Sequence, residues 1–336
     1  MSESNTFKKH YRSFFWPIVM LGAGVIWLLT NLDYIPSENL WGLIRLWPAL
    51  LILAGIDILF SRRLAIVGAL LGIGLIAVVI AFLLFGENLG ADTAPTIKTE
   101  TFSSEIGEAQ SANVTLDLST QESEIHALMD SDLLFWAEID HIGEMKFKAS
   151  GDQTKTIELG QIGIEDWHNL FMTGLQSEEL VWDIGLSPNL PIDLNVDAGT
   201  GSADLDLSGL DLDSLDYDAS TGSTTILLPE SAEGYETKLE ASTGSMTVVL
   251  PADSNLTLHL DGSTGKVTFH APEGGAIRIE VESGGTGDLQ LPAGFTKVSG
   301  LEDRDEGVYE TAGFDQADYQ ILILIDDIGT GNIVVK

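Results

Sequence analysis

Residues 194–205 read LNVDAGTGSADL, residues 215–226 LDYDASTGSTTI, residues 237–248 TKLEASTGSMTV and residues 258–269 LHLDGSTGKVTF. The four segments superpose on a Thr-Gly pair, and two more pairs follow at Thr286-Gly287 and Thr330-Gly331. Gly201, Gly222, Gly244, Gly265 and Gly287 are spaced by 21, 22, 21 and 22 residues, and Gly331 comes 44 residues later. A period near 22 residues marks a solenoid.

Around each glycine the pattern alternates. Ala203 and Leu205, Thr224 and Ile226, Met246 and Val248, Val267 and Phe269, and Leu289 and Leu291 stand two and four residues after it. Val196, Tyr217, Leu239 and Leu260 stand five before it, with Val281 one place out of step. A period of two gives each short strand one apolar face. The Thr-Gly step supplies a residue tolerant of positive φ at a corner. Pro229, Pro251, Pro272 and Pro292 close four strands where a missing N–H does little harm. One coil cannot bury its own apolar face, whereas stacked coils share a continuous core. Gly201, Gly222, Gly244, Gly265, Gly287 and Gly331 are therefore expected to be the structural rung turns of a β-helix over residues 191–336, closed by a C-terminal cap.

Residues 102–190 alternate without the Thr-Gly punctuation and read as an irregular β entrance to the solenoid or a small β domain beside it. Strands are expected near 114–118, 124–128, 135–139, 145–149, 156–159 and 180–184, and a short helix or loop near 164–170. The run Tyr319 to Ile325 is apolar throughout. It is expected to be folded back or buried against a partner, since an open edge of that composition invites aggregation.

The 336 residues include no cysteine, which removes disulfides and thiolate metal sites. The formal charge is −35. Residues 1–86 hold six Lys/Arg against four Asp/Glu, and the remainder holds ten against 47, a net of −37. Such a surface repels nucleic acid and suits either a solubilising role or cationic ligands.

Met1 to Ser13 forms a polar, modestly basic tail, expected in the cytoplasm. Three apolar stretches follow at about 14–32, 40–60 and 64–85, each long enough for a membrane helix. Lys8, Lys9 and Arg12 precede the first, and Arg62-Arg63 separates the second from the third. The loop 31–39 has Asp33 and Glu38 but no Lys or Arg. The positive-inside rule then places the N-terminus in the cytoplasm and everything after Phe85 outside, with a linker over 86–101. Gly68 and Gly72 make a GxxxG step suited to close helix approach, within the chain or between copies. Arg45 and Asp57 lie close enough to span ends to snorkel.

Few residue groupings in the chain point to chemistry. The six histidines have no HxxxH or HExxH spacing, so no zinc site is expected. Asp204, Asp206, Asp211 and Asp213 alternate with leucines as outward strand residues, without the nine-residue calcium-roll unit. Gly262-Ser-Thr-Gly-Lys266 lacks phosphate-loop spacing. No catalytic, cofactor or metal residues are assigned, and no enzyme is expected.

Trp16-Pro17-Ile-Val-Met-Leu-Gly22, Asn31-Leu32 and Leu46-Trp47-Pro48-Ala-Leu-Leu-Ile-Leu-Ala-Gly55 resemble the transmembrane region of LiaI/LiaF-type bacterial proteins. Trp182-Asp-Ile-Gly-Leu-Ser-Pro188, Pro191-Ile-Asp-Leu-Asn-Val196 and the Thr-Gly rungs are similar to the toast-rack and adhesin-like β-helix domains of cell-wall-active antibiotic response proteins. The resemblance implies a membrane-bound accessory in envelope stress signalling, in some members a negative regulator of a sensor kinase. Expected partners are the lipid bilayer, a membrane sensor kinase or other envelope protein, and cationic or cell-wall ligands, but no nucleic acid. The alternative is a surface scaffold or adhesin without a signalling role.

Overall fold

The computed structural model describes residues 15–32, 51–52, 54–56, 65–85, 97–118, 121–141, 143–162, 180–262, 264–301 and 305–336. The chain divides into two units, residues 1–96 and 97–336.

In the first unit, two apolar runs form helices α1 (Phe15–Asn31) and α2 (Ala65–Phe85). Pro17 falls in the first turn of α1, where its missing N–H breaks no helical bond. The helices pack closely at Gly22, where an added Cβ would overlap the side chain of Ile76. Ile26 is buried beside Leu29, Val79 and Ile80. Among the described residues Gly74 of α2 has no neighbour that a Cβ would meet. Met20, Leu21 and Trp27 are 71–72% exposed, an apolar face suited to hydrocarbon rather than water. Among the described residues no helix is long and apolar enough to cross a membrane. Arg45, Asp57, Arg62, Arg63 and most of the expected second span lie outside the described residues, as does the segment 164–170.

In the second unit each repeat makes two strands that meet at the Thr-Gly corner. The first pair is β8 (Ile192–Asp197) and β9 (Ala203–Asp206). Strands β10 (Leu212–Leu227) and β11 (Tyr235–Val249) run through their corners unbroken, and β12 (Leu256–Asp261) and β13 (Lys266–His270) form the fourth coil. Successive coils pair in parallel on both sides. The register brings Leu205, Ile226, Val248 and Phe269 into one column, all at most 1% exposed. On the other side Val196, Tyr217, Leu239 and Leu260 form a second column. Tyr217 crosses the interior to share a 2.7 Å hydrogen bond with Thr224, and burial pushes its hydroxyl up to about 12.

The ends depart from chain order. At the C-terminal end, β14 (Ile277–Ser283) and β15 (Asp288–Gln290) do not lie against β12 and β13. Strand β18 (Ile321–Asp327) is inserted between β12 and β14, and β19 (Asn332–Val335) between β13 and β15. The apolar run ending at Ile325 is therefore folded back and paired on both edges. Ile325 and Val281 complete the Val196 column, and Val335 extends the Phe269 column.

The N-terminal end is built the same way. Strands β2 (Ser111–Asp117) and β3 (Glu122–Ala127) pair in parallel with β8 and β9. Strands β6 (Thr154–Gln161) and β7 (Val181–Leu186) lie outside them. Residues expected ahead of the stack thus supply two of its coils. A parallel strand edge accepts any strand whose apolar positions alternate in step, whatever its place in the chain.

Among the described residues only the outermost strands pair antiparallel. At one end β4 (Leu133–His141) and then β1 (Lys98–Glu105) follow β7, and β5 (Met145–Ser150) follows β6. At the other, β17 (Gly307–Thr311) and β16 (Phe295–Ser299) follow β14. Lysines stand on these outer strands, Lys98 on β1, Lys146 and Lys148 on β5 and Lys297 on β16. A charge on an edge strand discourages further pairing. On β15, the Leu289 N–H instead donates to the Asp305 carboxylate at 3.1 Å.

Candidate functional site

The six rung-turn glycines stand in one line across the stack. A Cβ on Gly222 would overlap the carbonyl oxygen of Gly201, one on Gly244 that of Gly222, and one on Gly265 that of Gly244. Asn332 N–H donates to the Gly265 carbonyl at 3.1 Å, so Gly331 follows Gly265. Gly287 comes last, against the Gly331 carbonyl. Positive φ falls on Gly222 (139°) and Gly244 (147°), where the strand runs unbroken through Ser-Thr-Gly. At the Gly-Thr-Gly corners it falls two residues earlier, on Gly199 (53°), Gly285 (54°) and Gly329 (70°). Lys266 of the Gly262–Lys266 stretch opens a strand, β13, and has no helix N-terminus beside it to hold a phosphate.

Outside this line, the same register gathers carboxylates. Asp117, Asp197, Asp218, Glu240 and Asp261 occupy one outward column of five adjacent strands, about 4.8 Å apart. Burial raises the Asp218 pKa, and the nearby charges of Glu240, Asp197 and Asp216 raise it further against the lowering effect of Lys238. Lys238 is itself paired with Glu240. On the opposite side Glu138, Asp183, Glu124 and Asp204 form a second in-register column. Asp213 is likewise pushed up, first by burial and then by Asp193, Asp211 and Glu233. Asp204, Asp206, Asp211 and Asp213 are all exposed on outward positions.

Among the described residues no three His, Asp or Glu side chains are grouped to hold a metal ion. Side chains of a column project in parallel and do not converge on a point. His126 lies 3.3 Å from Asp183, His259 3.3 Å from Glu236 and buried His141 3.4 Å from Glu100. These are separate pairs without a nucleophile between them. What the outer face offers is a regular negative field on a rigid support. The sequence shows the number of acids, but which of them share a column depends on strand register.

Residues 92–249 match the N-terminal domain of toast_rack, and residues 14–59 match the LiaI-LiaF-like transmembrane region. The chain joins a LiaI-LiaF-like region to a toast_rack domain. The toast_rack domain is mostly β, and the match at 14–59 makes the protein membrane-associated. Toast_rack is a non-enzymatic family, and this is a non-enzymatic envelope protein. Curated proteins give no match.

Among solved structures this chain is similar to a candidate cell adhesion protein from Clostridium sporogenes, at 19% identity and a TM-score of 0.49 over 72% of this chain and 99% of that one. It is also similar to a candidate adhesin from Bacteroides fragilis, at 11% identity and a TM-score of 0.33 over 72% and 99%. A candidate lipid binding protein from Parabacteroides distasonis gives 12% identity and a TM-score of 0.28 over 70% and 96%. Likenesses at this level carry no argument about activity.

Proposed function

We propose that the protein is a three-span membrane protein that holds its toast_rack domain, a β-helix, on the outer face of a bacterial cytoplasmic membrane. It acts there by binding, as an accessory of the cell-envelope stress response. The observation that supports this reading most is the coupling of a LiaI-LiaF-like region to a domain whose carboxylates stand in columns. Lys8, Lys9, Arg12, Arg62 and Arg63 support an inside N-terminus, with the domain after Phe85 outside. The membrane region meets a sensor kinase or another envelope protein within the bilayer, and the acidic faces meet cationic or wall-derived ligands outside.

Protease treatment of intact protoplasts tests the topology, with removal of the toast_rack domain as the expected result. Deleting the gene and challenging cells with wall-active antibiotics tests the role, and a changed envelope-stress reporter response is expected. Survival of the domain in protoplasts overturns its placement. An unchanged reporter response overturns the accessory role and leaves a display scaffold.

A further inference from the structure

The outward positions of the first side are polar along most of the stack. They are Asp193, Asn195 and Asp197 on β8, Glu236, Lys238 and Glu240 on β11, and Thr257, His259 and Asp261 on β12. Strand β18 breaks the pattern. Its inward isoleucines enter the core, and Leu322 and Leu324 take the outward positions. Val308 of β17 lies outward two strands away, in the same row as Leu324.

These side chains floor two adjoining depressions of about 400 Å³ each, one over Leu322 and the other over Leu324 and Val308. Together they are of the size that takes a ligand several residues long. Glu280 stands between Leu324 and Val308 in that row, and Glu282 and Asp326 also line the second depression. Arg278, beside the first, is neutralised from within. It donates to Glu310 at 2.6 Å and Asp315 at 3.0 Å, and its guanidinium lies 4.3 Å from the centre of the Phe314 ring. The floor therefore alternates Leu322, Leu324 and Val308 with the paired Arg278 and with Glu280, and Glu282 and Asp326 add negative charge beside it.

We propose that this groove binds a cationic peptide segment whose apolar side chains cover Leu322, Leu324 and Val308. Charge decides the occupant. A second copy of this chain brings its own net of −37 after residue 86, and anionic headgroups are repelled in the same way. A segment that carries Lys or Arg between aliphatic side chains satisfies both the carboxylates and the apolar floor residues. The inference rests on the reading that the acidic faces meet cationic ligands outside, and it stands whether or not the protein acts on a sensor.

The test uses the full chain in zwitterionic nanodiscs, with empty nanodiscs as the blank. Three synthetic probes are titrated: an octapeptide alternating Lys and Leu, one alternating Lys and Ser, and one alternating Glu and Leu. The Lys-Leu peptide binds at least about tenfold more tightly than either of the others, the equivalent of one well-buried leucine. The double variant Leu322→Ser/Leu324→Ser removes that advantage and leaves Lys-Ser binding unchanged. Glu282→Gln/Asp326→Asn, at exposed positions that do not threaten folding, weakens both lysine peptides several-fold at low salt. If the leucine variant fails to fold by thermal melting, the carboxylate variant decides. Equal binding of Lys-Leu and Lys-Ser by the native chain overturns the proposal. So does Lys-Leu binding indifferent to the carboxylate variant, or Glu-Leu binding as tight as Lys-Leu. A native dimer that the leucine variant dissociates, with no peptide bound, places a second copy in the groove and also overturns it.

Discussion

Gly222 sits against the carbonyl oxygen of Gly201, with no room between them for a methyl group. Its φ of 139° adds a conformation that L side chains rarely adopt. Gly244 repeats both conditions against Gly222. Gly222→Ala or Gly244→Ala is expected to cost at least about 3 kcal/mol, because coil spacing and backbone angle both have to give. Gly274, with φ of 75° and open space around it, serves as the control. Gly274→Ala is expected to cost about 1 kcal/mol. Urea denaturation of the three variants checks the difference.

Thr237 occupies an interior position between Leu215 and Leu258. Its side chain is fully buried, and among the described residues its hydroxyl has no hydrogen-bond partner. A buried hydroxyl without a partner is a standing cost, so Thr237→Val is expected to stabilise the domain by about 1 kcal/mol. Thermal melting with matched urea curves would show the midpoint rise. A fall would mean that the hydroxyl is satisfied in solution.

Asp218 carries a pKa raised above the ordinary 3.8 by burial and by Glu240, Asp197 and Asp216. A raised folded-state pKa means that the folded chain binds the proton more tightly than the unfolded one. Its favourable contribution is complete below about pH 4 and is lost as pH rises through the folded value. Asp218→Asn is therefore expected to stabilise the domain at pH 7 by about a few tenths of a kcal/mol, since the site is exposed and screened. The advantage should vanish near pH 3 and shrink in high salt. Melting curves across pH and salt check the sign.

The corner repeat is legible in the sequence because six Thr-Gly pairs meet one steric requirement, the close approach of successive coils. The order of stacking is much less so. Val281 is six residues before Gly287, and Ile325 is six before Gly331, whereas Val196, Tyr217, Leu239 and Leu260 are each five before theirs. That shared spacing marks the last two coils as neighbours of one another. Nothing in it says that the later coil goes inside the earlier one. The other hint is Leu322 and Leu324, apolar on a face that is polar along the preceding coils. The carboxylate columns were hidden for a related reason: Asp197, Asp218 and Glu240 become neighbours only once the strands are in register. In the helices the apolar runs were plain. The close contact at Gly22 was not, because helix packing depends on which faces meet.

The absence of cysteine allows the insertion of β18 to be tested by crosslinking. His259 pairs with Leu324, and Leu324 lies in the row of Glu280 on the next strand. The pair His259→Cys/Leu324→Cys is expected to form a disulfide under mild oxidation, since neighbouring strands are about 4.8 Å apart. The pair His259→Cys/Glu280→Cys, two strands apart at about 10 Å, should not. The opposite outcome, a crosslink between 259 and 280 and none between 259 and 324, would mean that the coils stack in chain order and would contradict the account.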